Sequence, residues 1–233
     1  MKLAALLLLS SAIAAADAGK ARQLNTEGMK LYGKTNYRAA LEAFDKAIAA
    51  DPSFVLAHYN AASMASLLGK TDRVIDELKW LVTSKDPVAV KALVQAKTDR
   101  DLDRASMHPK VRELIGLPGF DKIDLAELLT ERDGVWGFDS EFCAAQKVTL
   151  TFKKGGKVGV ASEFACDATE TTTADAGTWT VSGGKLVITT KTAFPGGKPG
   201  AIASCDEPSD GSACLVIAGD GVGSFHRGAA RFR

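Results

Sequence analysis

The chain has 233 residues, 29 Lys and Arg against 28 Asp and Glu, a formal net charge of +1 and three histidines. A near-neutral balance with dispersed basic residues gives no long-range steering toward nucleic acid or anionic lipid, so no nucleic-acid partner is expected. All four cysteines lie in the second half, which sets the two halves apart before any motif is considered.

The chain opens on Met1-Lys2, an apolar run from Leu3 to Ala16 and then small residues, the pattern of a secretory signal peptide over residues 1–18, cleaved after Ala16 or Ala18. The run falls short of the roughly 20 residues that cross a bilayer, and no other segment approaches that length, so no membrane span is expected. No cysteine marks the cleavage region for lipid attachment. The expected location is therefore the periplasm or the exterior, and removing one Lys and one Asp with the leader leaves the charge at +1.

Helical spacing follows, with helices expected near 20–33, 36–50, 54–68 and 71–83, the second of each pair ended by Asp51-Pro52 and Asp86-Pro87. Leu24, Gly28, Leu31, Ala40, Phe44, Ala47 and Pro52 put small residues where paired helices touch, larger ones where the pair packs on its neighbour, and proline at the stop. A shift of about 34 residues regenerates the pattern in more divergent form at His58, Ala62, Ala65, Val74, Leu78 and Leu81.

This register resembles the tetratricopeptide repeat family over residues 21–88, with Leu24 where the pattern prefers Trp and Glu27 at a usually apolar position. The resemblance implies stacked helical hairpins that hold a protein or peptide partner on a concave surface. The first helix of each pair faces inward in that family, which implies a groove lined by Asn25, Met29 and Tyr32 and by Tyr59, Asn60 and Ser63. Family members that clamp a C-terminal carboxylate use basic residues where this chain has Asn25, Val90 and Val94. Only Asn60 matches, so chaperone-tail binding is not expected. Since two repeats leave an open apolar face, Val88–Ala96, His108–Ile115 and Ile123–Leu129 are read as a degenerate third pair and cap over Leu78, Leu81 and Val82, closing a helical domain at 19–131.

From about Asp133 the period changes to two, as in Val148-Leu150-Phe152, Val158-Val160, Trp179-Val181, Leu186-Ile188 and Leu215-Ile217. Gly155-Gly156 and Gly183-Gly184 supply hairpin turns, so residues 132–233 are expected to form an antiparallel β sandwich or small barrel. The whole is thus a multi-domain α plus β chain. Cys143, Cys166, Cys205 and Cys214 read as disulfides in an exported protein, with three connectivities open and the local pairs Cys143–Cys166 and Cys205–Cys214 favoured. The runs Gly177-Thr178-Trp179 and Gly134-Val135-Trp136 resemble the Gly-x-Trp hairpin of lipocalin-like barrels, which implies a second reading, a small-molecule or lipid carrier in the β-domain. The Gly-, Pro- and Ser-rich stretch from Thr192 to Asp210 reads as a mobile loop.

No catalytic set, metal site or cofactor motif emerges. His58 is a packing residue of the repeat, His108 precedes Pro109 at a helix start, and His226 shares a strand face with Ser224 near Asp220 in no familiar triad spacing. The expectation is a binding scaffold and not an enzyme.

Overall fold

The computed structural model describes residues 2–140, 145–166, 169–205, 209–218 and 224–228. It divides into two compact units, residues 1–102 and 103–233.

The first unit is helical: α1 (Lys2–Tyr32), α2 (Tyr37–Ala50), α3 (Val55–Leu67), α4 (Thr71–Thr83) and α5 (Pro87–Ala96), then one 3-10 turn at Arg100–Leu102. The apolar start belongs to α1, so the expected cleavage positions fall inside one helix of the uncut chain. No helix among the described residues is long and apolar enough to cross a membrane. Capping explains the starts. The Asn36 side chain accepts from Ala39 N at α2, and Asp86 accepts from Val88 N at α5, where Pro87 occupies the first turn.

Gly28 is required by packing: a Cβ there would overlap the Phe44 ring, which is completely buried. Ala40, Ala61 and Met64 share that cluster with Phe44. Leu78 and Leu81 are buried, with α5 packed against α3 and α4, whereas Val82 stays half exposed.

The second unit holds α6 (Pro109–Leu114), α7 (Leu125–Thr130) and strands β1 (Val135–Ser140), β2 (Ala145–Lys153), β3 (Lys157–Cys166), β4 (Thr169–Ser182), β5 (Lys185–Thr190), β6 (Lys198–Ser204), β7 (Ala213–Ile217) and β8 (Ser224–Arg227). The strands run in sequence order as an antiparallel meander, and β8 pairs back to β1 through His226 and Gly137, closing a barrel and leaving no edge. Of the two β architectures expected, the barrel is the one formed. Gly183 and Gly184, both at positive φ, make the two-residue turn from Ser182 to Lys185.

Two expectations are corrected. The stretch 192–210 is not simply loop, because it contains β6, whose Ile202 pairs with Leu215, and Asp175 fixes its start by accepting from Thr192 N and Ala193 N. The third helical pair does not form as read either. Only α5 joins the helical unit, while α6 and α7 group with the barrel, and the contacts divide after Leu102. The cause lies in α7. Leu128 and Leu129, with Met107, enter one apolar cluster with Trp136, Leu150, Phe152, Trp179, Leu186, Ile188, Leu215 and Phe225. The barrel end is plugged by this helix, and Trp136 Nε1 donates to the Leu129 carbonyl at 3.2 Å.

A buried ion cluster anchors the plug. Arg112, fully buried, donates to both Glu131 carboxylate oxygens at 3.1 and 3.2 Å and to the Pro118 carbonyl at 2.7 Å. Arg227 of β8 donates to the carbonyls of Leu128 and Glu131 and lies 4.3 Å over the Trp136 ring. Burial pushes its guanidinium down to about 10 while Glu131 and Asp103 favour the charged form, so it stays a cation at neutral pH. Cys205 and Cys214 form a disulfide with Cα atoms 5.0 Å apart. Cys143 and the Cys166 side chain lie outside the described residues, and so does their pairing.

Candidate functional site

Helices α1, α2, α3 and α5 and the segment just beyond α5 surround a cavity of about 230 Å³ within the helical unit. From α1 come Met29 and Tyr32, and from α3 come Tyr59, Asn60 and Ser63, with Phe44 and Met64 also in the lining. Five of the six groove residues read from the repeat register are therefore brought together. Asn25 reaches the site indirectly, since its Oδ1 accepts from Asn60 Nδ2 at 2.8 Å and so orients that amide.

Four lining residues escape the repeat register: Met64 of α3, Gln95 at the end of α5, and Asp99 and Asp101 just beyond it. The register assigns no inward positions past a helix end, and only the run of polar residues after Ala96 could have drawn attention there. Asp99 accepts from the Tyr59 hydroxyl at 2.5 Å through Oδ2, and its Oδ1 accepts from Asp101 N at 2.9 Å. The Tyr32 hydroxyl donates to Asp101, and that bond, with burial and the Asp101 charge, pushes the phenol up to about 12. Two tyrosine hydroxyls thus hold two carboxylates at the wall of one cavity. On α5, Val90 and Val94 stand four residues apart with 61% of each exposed, a short apolar stripe on that helix.

Two of the three histidines are accounted for locally. His58 stacks on Trp80 with centroids 3.6 Å apart, places Nδ1 2.6 Å from Glu77 Oε2, and donates from Nε2 to the Pro52 carbonyl. His108 caps α6 by accepting from Lys110 N. Asp220, once grouped with Ser224 and His226, lies outside the described residues. In the barrel, Trp136, Leu150, Leu186, Ile188, Leu215 and Phe225 are fully buried against one another in a single apolar cluster.

Over 63 residues the chain is 40% identical to small glutamine-rich tetratricopeptide repeat-containing protein 2 of Mycosarcoma maydis. That match covers 27% of this chain and 18% of the relative's length, less than a fifth of it. The similarity agrees with the repeat register and with the helical first unit. No family model matches the chain, and no solved structure does.

Proposed function

We propose that the protein is an exported scaffold whose helical unit binds a peptide segment of a partner protein in the groove of α1, α3 and α5, with a cationic group of that peptide entering the cavity. The observation that carries this reading is the convergence of Tyr32 and Tyr59 with Asp99 and Asp101 around a space of side-chain size. Carboxylates attract an ammonium or guanidinium, tyrosine faces add cation–π attraction, and the exposed Met29, Val90 and Val94 offer apolar contact to flanking residues. The partial match to a tetratricopeptide repeat protein supports protein binding as the class of function. Export is supported by the leader-like start and by the Cys205–Cys214 disulfide, a bond that persists in oxidising compartments. The uses already found for His58 and His108 favour a scaffold over an enzyme.

The test is selection from a displayed random peptide library on the intact protein, followed by titration of the selected peptides. Enrichment of Lys or Arg flanked by apolar residues is expected, with about tenfold or greater weakening in a Tyr32→Ala, Tyr59→Ala, Asn60→Ala triple variant that stays folded. Equal binding by the folded triple variant would move the function to another surface. Selection of acidic peptides would overturn the cationic preference alone.

A further inference from the structure

We propose that Cys205, Cys214 and His226 are a redox-gated metal site, closed as a disulfide when oxidised and able to bind a borderline-soft divalent ion such as zinc when reduced.

The strand registers bring the three together. Pairing of Leu215 with Phe225 and Val216 with Ser224 places Cys214 beside His226 across β7 and β8. Pairing of Ala203 with Cys214, and the Cys205 N–H donated to the Ser212 carbonyl, put Cys205 two residues further on the same face. His226 Nδ1 lies 3.2 Å from Cys214 Sγ and 3.9 Å from Cys205 Sγ, and the three donor atoms fall within 4.8 Å of one another. Both cysteines are buried.

Metal geometry makes these distances meaningful. Tetrahedral zinc with sulfur at about 2.3 Å and nitrogen at about 2.0 Å separates a sulfur from a nitrogen donor by about 3.5 Å and two sulfurs by about 3.8 Å. The two observed sulfur–nitrogen distances bracket the first value. Only the sulfurs must part, and both cysteines can turn about their side-chain bonds once the disulfide is broken. Two thiolates and an imidazole suit zinc better than calcium or magnesium, which take oxygen ligands, and three protein donors leave a fourth position for water.

The chemistry balances with an external dithiol as the named reductant. Its two thiols become a disulfide, the Cys205–Cys214 bond is cleaved, and each cysteine gains a hydrogen. Metal binding then releases those two protons as the thiolates form. In the oxidised protein the sulfurs' bonding electrons are committed to each other and the site is shut.

The experiment uses the full chain carrying Cys143→Ser and Cys166→Ser, reduced by a phosphine that offers no competing thiol, with zinc and cobalt(II) as probes. Folding is checked by circular dichroism. One zinc per reduced chain, none per oxidised chain, thiolate-to-cobalt charge-transfer absorption, and about tenfold or greater weakening in His226→Ala are the expected results. A reduced, folded protein that binds no zinc overturns the proposal, as does a folded His226→Ala variant that binds zinc as tightly as its parent. Should the double serine variant fail to fold, the unchanged chain and its His226→Ala variant are compared directly. Loss of zinc affinity with the imidazole supports the site, and identical binding removes it.

Discussion

Glu131 neutralises two guanidinium groups that have little access to water, Arg112 from α6 and Arg227 from β8, at 3.1 and 3.6 Å. Such pairs are costly to build and costlier to break, because removing one partner leaves an uncompensated buried charge. Glu131→Gln should therefore destabilise the barrel unit by about 3–5 kcal/mol, read as a lower thermal midpoint. Tyr32 offers a second residue-scale test. Its phenol is raised in the folded state, so its hydrogen bond to Asp101 contributes stability that is fully present below about pH 10 and is lost as pH rises through about 12. An ultraviolet titration should show Tyr32 ionising at about 12. Asp101→Asn should bring that phenol back toward the usual value near 10, and no change on substitution would break the assignment of the groove wall.

At the scale of elements, α7 is short, yet it sets the barrel's interior. Leu129 has no exposed surface and its carbonyl receives the Trp136 indole N–H. Leu129→Ala should cost about 2–5 kcal/mol and weaken the near-ultraviolet circular dichroism of the barrel tryptophans, while the helical signal of α1 to α5 persists. The helix was visible in the sequence, but its allegiance was not: Leu125, Leu128 and Leu129 repeat at helical spacing whether they face another helix or the mouth of a barrel. Strands β2, β3, β4, β5 and β7 were legible because large inward residues recur at every second position in them. Strand β6 was hidden because its sequence, Lys-Pro-Gly-Ala-Ile-Ala-Ser, has the composition of a loop, and pairing with β7 overrides that local preference. In the groove, Tyr32, Tyr59 and Asn60 followed from register, whereas Asp99 and Asp101 are brought in by a turn that no periodicity describes. The ion cluster left no signal, since Arg112, Glu131 and Arg227 are far apart in sequence and each reads alone as a surface charge.

For the whole molecule, the division after Leu102 predicts where the chain can be cut. A fragment of residues 19–102 should be helical, and one of residues 103–233 should form the β-rich barrel with a cooperative melt. A fragment starting at residue 132 carries all eight strands but lacks Met107, Arg112, Leu128 and Leu129. It should expose apolar surface, bind a hydrophobic dye and melt without cooperativity. If the fragments starting at residues 103 and 132 melt alike, α7 is an ornament and not a plug.

Closure of β8 onto β1 also imposes a timetable on synthesis. Arg227 grips carbonyls that were made 96 and 99 residues earlier, at Glu131 and Leu128. Every helix of the first unit can pair with a neighbour already in hand, so that unit can assemble while the ribosome is still at work. The plug helix must instead wait, its partner cation untranslated and its leucines without walls, for several seconds or more at about 5–20 residues per second. Until residue 227 appears, the nascent barrel is an open sheet with two unpaired edges. The stretch of chain most in need of a chaperone is thus the one that ends up best sealed.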